Sequence, residues 1–208
     1  MENRRVTVVV VDDDGSVCRS VRRLLMSAGY DVLAYASATE FLETYPQGRG
    51  SCLVLDIRLP GMNGLELQHE MAVRGLRLPI VFITGHGDIP MSVRAMKAGA
   101  VDFLTKPFDA DQLLDSVAQA VRREAQMRSE QAEVDAIQES LATLTPRERE
   151  VLERIVTGML NKEVANDLGV AEKTVKVHRA RVMEKMGVES LAELVHLAER
   201  VGIGLARR

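Results

Sequence analysis

The stretch Cys52-Leu-Val-Leu-Asp-Ile-Arg-Leu-Pro-Gly-Met-Asn-Gly64 decides how this chain folds. Leu53, Val54 and Leu55 form a short apolar run with a β-branched residue, and Pro60-Gly61 interrupts regular structure a few residues later. A buried strand is therefore expected to end in a loop at Asp56. In open parallel α/β sheets ligands bind at that edge, because the loops leaving the strands form a crevice there. Asp56 is a site candidate by position.

On its N-terminal side, Val6 to Val11 reads as a strand covered on both faces, since such strands lose the apolar/polar alternation, and it runs into Asp12-Asp13-Asp14. A helix follows with Val17, Val21, Leu24, Leu25 and Ala28 on one stripe, closed by Gly29. Asp31 to Tyr35 reads as a weaker strand, and Ser37-Ala-Thr-Glu40 as a capping box opening a helix that Pro46 stops. On the C-terminal side, Leu65 to Val73 reads as a helix and Pro79 to Thr84 as a buried strand, ending in Thr84-Gly-His-Gly-Asp88. A helix from about Ile89 to Ala98 precedes a fifth strand, Val101 to Thr105, that ends at Lys106-Pro107. Asp109-Ala-Asp-Gln112 offers a second capping box, for a helix with Leu113, Leu114, Val117 and Val121 inward. Five strands alternating with five helices predict an α/β doubly wound parallel sheet with right-handed crossovers.

That topology brings distant residues together. Asp12, Asp13, Asp56, Thr84 and Lys106 each close a predicted strand, so all five belong on one sheet edge. Three carboxylates in one place repel unless a cation sits among them, and hard oxygen ligands suit Mg²⁺. A lysine supplies a compact positive charge for a phosphoryl group, and a threonine hydroxyl can donate to one of its oxygens. The set reads as a metal-assisted phosphoryl acceptor with Asp56 as nucleophile. Taken singly, the aspartates can be helix caps, Lys106 a solvated charge and Thr84 a β-branched strand residue.

Composition sets the bounds. A chain of 208 residues with 46% hydrophobic content can bury two modest cores. No apolar run is long enough to span a bilayer, and Met-Glu-Asn-Arg-Arg is not followed by a signal-length apolar segment, so a cytoplasmic protein without membrane contact is expected. Cys18 and Cys52 match no metal spacing and read as reduced, buried thiols. Net charge is uneven: residues 1–124 hold 14 Lys/Arg against 16 Asp/Glu, residues 125–143 hold 1 against 4, and residues 144–208 hold 12 against 10. Within the basic end, Lys173, Lys176, Arg179, Arg181 and Lys185 face only Glu184, a cluster that can meet a polyanion.

No Gly or Pro interrupts Asp109 to Thr143, and residues 122–139 are rich in good helix formers, so a long helical linker is expected. Val134, Ile137, Leu141 and Leu144 step by three and four, a stripe suited either to a partner helix or to the second domain. Thr145-Pro146-Arg147-Glu148 combines a capping box with Pro at the first helical position, ahead of Val151, Leu152, Ile155 and Val156 and before Gly158. Asn161 is expected to cap a short helix with Val164, Ala165 and Leu168 inward; Leu168-Gly169-Val170 turns, and a longer basic helix runs from about Glu172 to Met186. Two helices joined by a glycine turn, the second basic, are a helix-turn-helix. Leu191, Leu194, Val195 and Leu197 mark a covering helix. In such a motif the second helix enters the major groove; here Lys173, Lys176, Val177, Ala180 and Arg181 share a broad outer face while Val175, Val182 and Met186 turn inward.

Residues 1–124 resemble the receiver domain of two-component response regulators, through Asp12-Asp13, Asp56, Thr84 and Lys106-Pro107. The resemblance implies a flavodoxin/CheY-like fold, a sensor histidine kinase as phosphodonor, and no enzymatic activity beyond self-catalysed phosphorylation and dephosphorylation of Asp56. It implies Mg²⁺ or Mn²⁺ bound by Asp13, Asp56 and the backbone carbonyl of Arg58, with Asp12 acting mainly through water. It places a cis peptide at Lys106-Pro107 and an aromatic switch at Phe103, which reads equally well as plain core. Residues 144–201 resemble the LuxR-type DNA-binding domain, through Leu144-Thr-Pro-Arg-Glu-Arg-Glu-Val-Leu152, Asn161-Lys-Glu-Val-Ala165 and Lys173-Thr-Val-Lys-Val-His178. Ile83-Thr-Gly-His-Gly-Asp88 and Pro90-Met-Ser-Val-Arg-Ala-Met-Lys-Ala-Gly-Ala100, with this domain order, are similar to the FixJ subgroup.

By that resemblance Lys176 and Val177 face bases, while Lys162, Lys173, Thr174 and Arg181 meet phosphates; His178 is a packing residue or a DNA contact. Ala171 stands where relatives often carry a serine cap, a loss of roughly 1 kcal/mol. The expected domains are a receiver (1–124), a helical linker (125–143) and an all-α helix-turn-helix domain (144–208). The expected function is a phosphorylation-activated transcription factor, homodimeric on promoter DNA, with RNA polymerase a further implied partner. Three rivals compete with it. An aspartyl-phosphate phosphatase or phosphotransferase would need a substrate pocket and further acid/base groups, which nothing here supplies. A regulator binding a small apolar signal would want an aromatic-lined cavity, against 3% aromatics and no Trp. A regulator working without phosphorylation would leave the five-residue set unexplained.

Overall fold

The structure is a computed structural model describing residues 6–85 and 89–204. The leading Met-Glu-Asn-Arg-Arg, and His86, Gly87 and Asp88 of the loop after Thr84, lie outside the described residues. The chain divides into two compact units at Met127/Arg128.

In the first unit, strands β1 (Thr7–Val11), β2 (Asp31–Tyr35), β3 (Cys52–Asp56), β4 (Ile80–Thr84) and β5 (Asp102–Thr105) alternate with helices α1 (Gly15–Ser27), α2 (Ala38–Thr44), α3 (Gly64–Val73), α4 (Ile89–Lys97) and α5 (Ala110–Ala142). The sheet is wholly parallel in the order β2-β1-β3-β4-β5. Side chains alternate between faces along a strand, so each strand feeds two cores. Val9, Val11, Leu53, Leu55 and Phe82 pack with Phe41 of α2, Leu67 and Met71 of α3 and Ala95 of α4. Val8, Val10, Val54, Val81 and Ile83 pack with Val21 and Leu25 of α1 and Leu113, Val117 and Ala120 of α5. Burial on both faces explains why β1, β3 and β4 read as unbroken apolar runs. β2 reads weakly because it is an edge strand with exposed Asp31 and Ala34.

The second unit holds the last part of α5, then α6 (Pro146–Ile155), α7 (Asn161–Leu168), α8 (Glu172–Met186) and α9 (Leu191–Arg200). Its core joins Val151, Leu152 and Ile155 of α6, Val164 and Ala165 of α7, Val175, Val182 and Met186 of α8 and Leu194 of α9. Ile137 and Leu141 of α5, within the stretch read as a linker, are buried in the same core at 6% and 5% exposure, with Leu144 packed against it. Those positions of the stripe are therefore occupied inside their own unit, while Val134 is half-buried and outside that core.

Several local expectations shift for identifiable reasons. Ser37 caps α2, but the Glu40 carboxylate accepts the Ala36 N–H, one residue earlier than a reciprocal box requires. At the start of α5 the Gln112 side chain accepts the Asp109 N–H, while Asp109 answers through its backbone carbonyl to Leu113. Asn161 is the first residue of α7 rather than its cap; Leu160 holds that position, Glu163 accepts its N–H, and the Asn161 side chain is engaged by Arg179. Val195 lies outside the second core, whose α9 contacts are Leu191, Leu194 and Leu197. Cys18 is half-buried, and its thiol donates to the Asp12 carbonyl.

Gly64, first residue of α3, has a specific steric duty. A Cβ there would stand 2.5 Å from the Asp56 carbonyl oxygen and 3.0 Å from the Ile57 Cα, both backbone atoms that cannot swing aside. Gly64→Ala is expected to destabilise the first unit by about 1–3 kcal/mol through displacement of the β3–α3 turn. Urea unfolding followed by tyrosine fluorescence reports this unit, because Tyr30, Tyr35 and Tyr45 all lie in it. An unchanged midpoint would mean that the turn absorbs the methyl without strain.

Candidate functional site

The C-terminal ends of the strands build the first site. Asp12 directly follows β1, Asp56 and Thr84 are the last residues of β3 and β4, and Lys106 directly follows β5. Asp12, Asp56 and Thr84 are buried and Asp13 is exposed. The Lys106 ammonium lies between two carboxylates, 2.6 Å from Asp12 Oδ2 and 2.8 Å from Asp56 Oδ2. Its backbone N–H donates to the Thr84 carbonyl at 2.7 Å, which ties the lysine to the end of β4, and the Lys106-Pro107 peptide is cis. Asp56 Oδ1 accepts the Arg58 N–H at 3.1 Å, and Asp12 Oδ1 accepts the Asp14 N–H at 2.8 Å, so each buried carboxylate is held by a backbone donor as well.

The electrostatics derive from this arrangement. Burial pushes the Asp12 carboxyl above the usual carboxylate range, against the pull of the hydrogen bond from Lys106. Burial works against the Lys106 charge, but the hydrogen bonds to Asp12 and Asp56 carry its pKa above the ordinary lysine value. Ligand atoms of Asp12, Asp13 and Asp56 all lie within 4.8 Å of one another, and they are all hard oxygen donors, the set that suits a small divalent cation. A groove of about 900 Å³ opens beside them, lined in part by Asp13, Arg58, Met62, Met91 and Arg94. Phe103 is half-buried and packs on the core shared by β3, β4 and α4.

The second site is the outer face of α8. Lys173, Thr174, Lys176, Val177, Ala180 and Arg181 are exposed, as is Lys162 on α7, while Val175, Val182 and Met186 face inward. Val177 is 46% exposed, unusual for a large apolar side chain on a basic helix. Ala171 stands at the N-cap of α8 without a side-chain cap. Lys176 pairs with Glu172 one turn back at 3.0 Å. His178 is half-buried, and its Nδ1 is buried without a hydrogen-bond partner among the described residues.

Two charges counted in the basic cluster are turned inward. Arg179 donates to Asn161 Oδ1 at 3.1 Å, and the Lys185 ammonium lies 2.6 Å from Glu148 Oε2 and 2.9 Å from the Thr143 carbonyl oxygen. Glu148 is 2% exposed, and the Lys185 ammonium and the Thr145 N–H hold its carboxyl down to about 2, so the pair is charged at neutral pH. Arg147 donates to the Leu168 carbonyl at 2.8 Å, and Arg154 pairs with Asp167, fastening α6 to the end of α7. Sequence reasoning treated Glu148 as a cap alone. The missed signal is its spacing: positions 148, 151, 152 and 155 form one helical stripe, and a carboxylate on an apolar stripe needs a buried counter-charge.

Comparison with known proteins agrees with this geometry. Residues 8–118 match the response regulator receiver domain family, and residues 142–198 match the luxR family of bacterial regulatory proteins. The chain is 49% identical to Nodulation protein W of Bradyrhizobium diazoefficiens over 199 residues, covering 96% of this chain and 88% of that protein. It is 44% identical to the transcriptional regulatory protein FixJ of Azorhizobium caulinodans over 200 residues, covering 96% and 94%. Among solved structures, that of the response regulator StyR superposes with a TM-score of 0.82 at 49% identity, covering 94% of this chain and 99% of that one. Its sheet edge, its basic helix and these relatives agree, and the chain belongs to the FixJ-like two-component response regulators, transcriptional regulators built from a receiver domain and a LuxR-type DNA-binding domain.

Proposed function

We propose that Asp56 accepts a phosphoryl group from a phosphohistidine of a sensor kinase, and that the phosphorylated chain dimerises and binds promoter DNA through α8. The observation that carries the first half is the Lys106 ammonium bridging Asp12 and Asp56 at the sheet edge. A carboxylate oxygen of Asp56 attacks phosphorus, the P–N bond breaks, and the leaving imidazole takes a proton from solvent. Lys106 then pairs with the phosphoryl oxygens and the Thr84 hydroxyl donates to one of them. Asp13, Asp56 and the Arg58 carbonyl would hold Mg²⁺ or Mn²⁺, with Asp12 acting mainly through water, and the cation would supply charge neutralisation at the transferring group. Movement of Thr84 and Phe103 toward the new group biases the surface around α4 and β5 between two packings.

On DNA, Lys176 and Val177 face base edges, with Ala180 on the same outer face of α8, and Lys162, Lys173, Thr174 and Arg181 meet phosphates, which set register without reading sequence. The exposure of every residue of the set supports this assignment. The DNA-binding unit takes in the last part of α5, from about residue 128, because Ile137 and Leu141 belong to its core.

The test is enrichment of duplexes from a random pool by the full chain, with and without a small-molecule phosphodonor and Mg²⁺. Phosphodonor treatment is expected to tighten binding to the enriched duplex and to shift the chain toward a dimer in light scattering. Lys176→Ala is expected to weaken that binding by about 1–3 kcal/mol and to relax the preference at one position of the site. Uniform weakening on enriched and scrambled duplexes alike would reassign Lys176 to a phosphate.

A further inference from the structure

Apolar packing settles which face of α8 points inward, but the hydrophobic effect itself is non-directional. A charge-assisted hydrogen bond to a buried carboxylate is directional. Lys185, in the last turn of α8, makes such a contact at the end of the helix, and Arg179 makes a directional hydrogen bond with Asn161 Oδ1 in its middle. The Lys185 ammonium meets Glu148 Oε2, in the first turn of α6, and the carbonyl of Thr143, in the turn after α5. The same Glu148 oxygen accepts the Thr145 N–H at 2.9 Å, and the Thr145 hydroxyl accepts the Glu148 N–H, so the carboxylate cannot follow a moving lysine. One nitrogen thus pins the end of α8 to the turn after α5 and the first turn of α6, 42 and 37 residues away in sequence. Lys176 and Val177 lie eight or nine residues back along α8, roughly 13 Å along the axis, where a small tilt at the C-terminal end becomes a displacement of the exposed face.

We propose that Lys185, locked by Glu148 and the Thr143 carbonyl, is a positioning residue for DNA recognition: it sets how α8 is seated, and so where Lys176 and Val177 arrive, without touching DNA itself. This rests on the reading of α8 as the helix that meets DNA. Two of the three donors of the ammonium are directed into the protein, which sets Lys185 apart from the exposed Lys173, Lys176 and Arg181.

The test uses the full chain and the duplex enriched by the wild type, with a scrambled duplex of equal length as reference, at a temperature well below each variant's unfolding midpoint. Lys185→Met keeps the aliphatic stem and removes the charge. It is expected to weaken binding to the enriched duplex about tenfold, to leave the scrambled duplex within about twofold, and to leave the salt dependence of binding unchanged. Lys185→Arg, which keeps the charge and several donors, is expected to recover most of the loss. Two results would overturn the proposal: undiminished discrimination by Lys185→Met, which would make the pair a matter of stability alone, or equal weakening on both duplexes with the salt slope reduced by about one, the mark of a phosphate contact. If Lys185→Met does not fold, Glu148→Gln, which keeps an acceptor for Thr145 while removing the charge, is measured in its place; discrimination equal to the wild type's overturns the proposal there too. A wild-type chain that enriches no duplex overturns the DNA reading of α8 and this inference with it, whereas enrichment by the wild type with discrimination intact in the variants overturns this inference alone.

Discussion

Asp56→Asn is expected to gain no phosphoryl group when incubated with Mg²⁺ and a small-molecule phosphodonor, under conditions in which the wild type gains one by intact-protein mass. The change is nearly isosteric: the amide oxygen can still accept the Arg58 N–H that Asp56 Oδ1 accepts now. What disappears is the charged nucleophile, and a neutral amide oxygen does not replace it. The fold is expected to survive, because Asp12, Asp13 and Asp56 carry three negative charges within a few ångströms and Lys106 supplies one positive charge among them. Removing one carboxylate relieves repulsion, so the melting temperature should hold or rise while stabilisation by added Mg²⁺ shrinks. Loss of phosphorylation with an intact melting transition assigns the defect to chemistry. Continued phosphoryl gain by Asp56→Asn would remove Asp56 as acceptor and make the exposed Asp13 the next candidate.

The receiver half was legible because its signals are local and its central strands, β1, β3 and β4, are covered on both faces. Leu53-Val54-Leu55 and Ile80-Val81-Phe82-Ile83 could be read as strands from composition alone, and the parallel topology then forced Asp12, Asp56, Thr84 and Lys106 to one edge. The pairing of Lys106 with Asp12 and Asp56 was not legible, since it joins residues 94 and 50 positions apart and depends on how β5 ends. Local chemistry also misled where a tertiary partner intervened. Asn161 has the right side chain for a cap, but Arg179 from the next helix engages it.

The DNA-binding half shows the same division. The capping box at Thr145 and the glycine turn at Gly169 fixed α6 and the α7–α8 corner, because each needs only neighbouring residues. The basic cluster was overcounted: a run of Lys and Arg on a helix looks uniformly solvated until Glu148 and Asn161, distant in sequence, turn Lys185 and Arg179 inward. The stripe of Ile137 and Leu141 suited either a partner helix or the chain's own second domain, and only the packing of α6 and α8 beside it shows that the domain claims it.

That packing makes a fragment comparison the second large effect. A fragment of residues 128–208 is expected to unfold cooperatively in urea, whereas one of residues 144–208 is expected to be largely unfolded in buffer. The shorter fragment loses Ile137 and Leu141 from the core, the Thr143 carbonyl from Lys185, and Glu133 from its pairing with Arg200. Each of the two apolar side chains is worth about 2–5 kcal/mol when truncated in place, and here the whole helix that carries them goes as well, opening the faces of α6 and α8 to water. A unit of this size has a total stability of only about 4–12 kcal/mol, so the loss is comparable to everything the fragment has. The full chain offers an internal control: Ile137→Ala and Leu141→Ala should each lower the stability of the second unit by about 2–4 kcal/mol while leaving the first unit's tyrosine-reported transition in place. Cooperative unfolding of residues 144–208 at the midpoint of the longer fragment would show that α6 to α9 close their own core, and that the buried stripe on α5 contributes contact without stability.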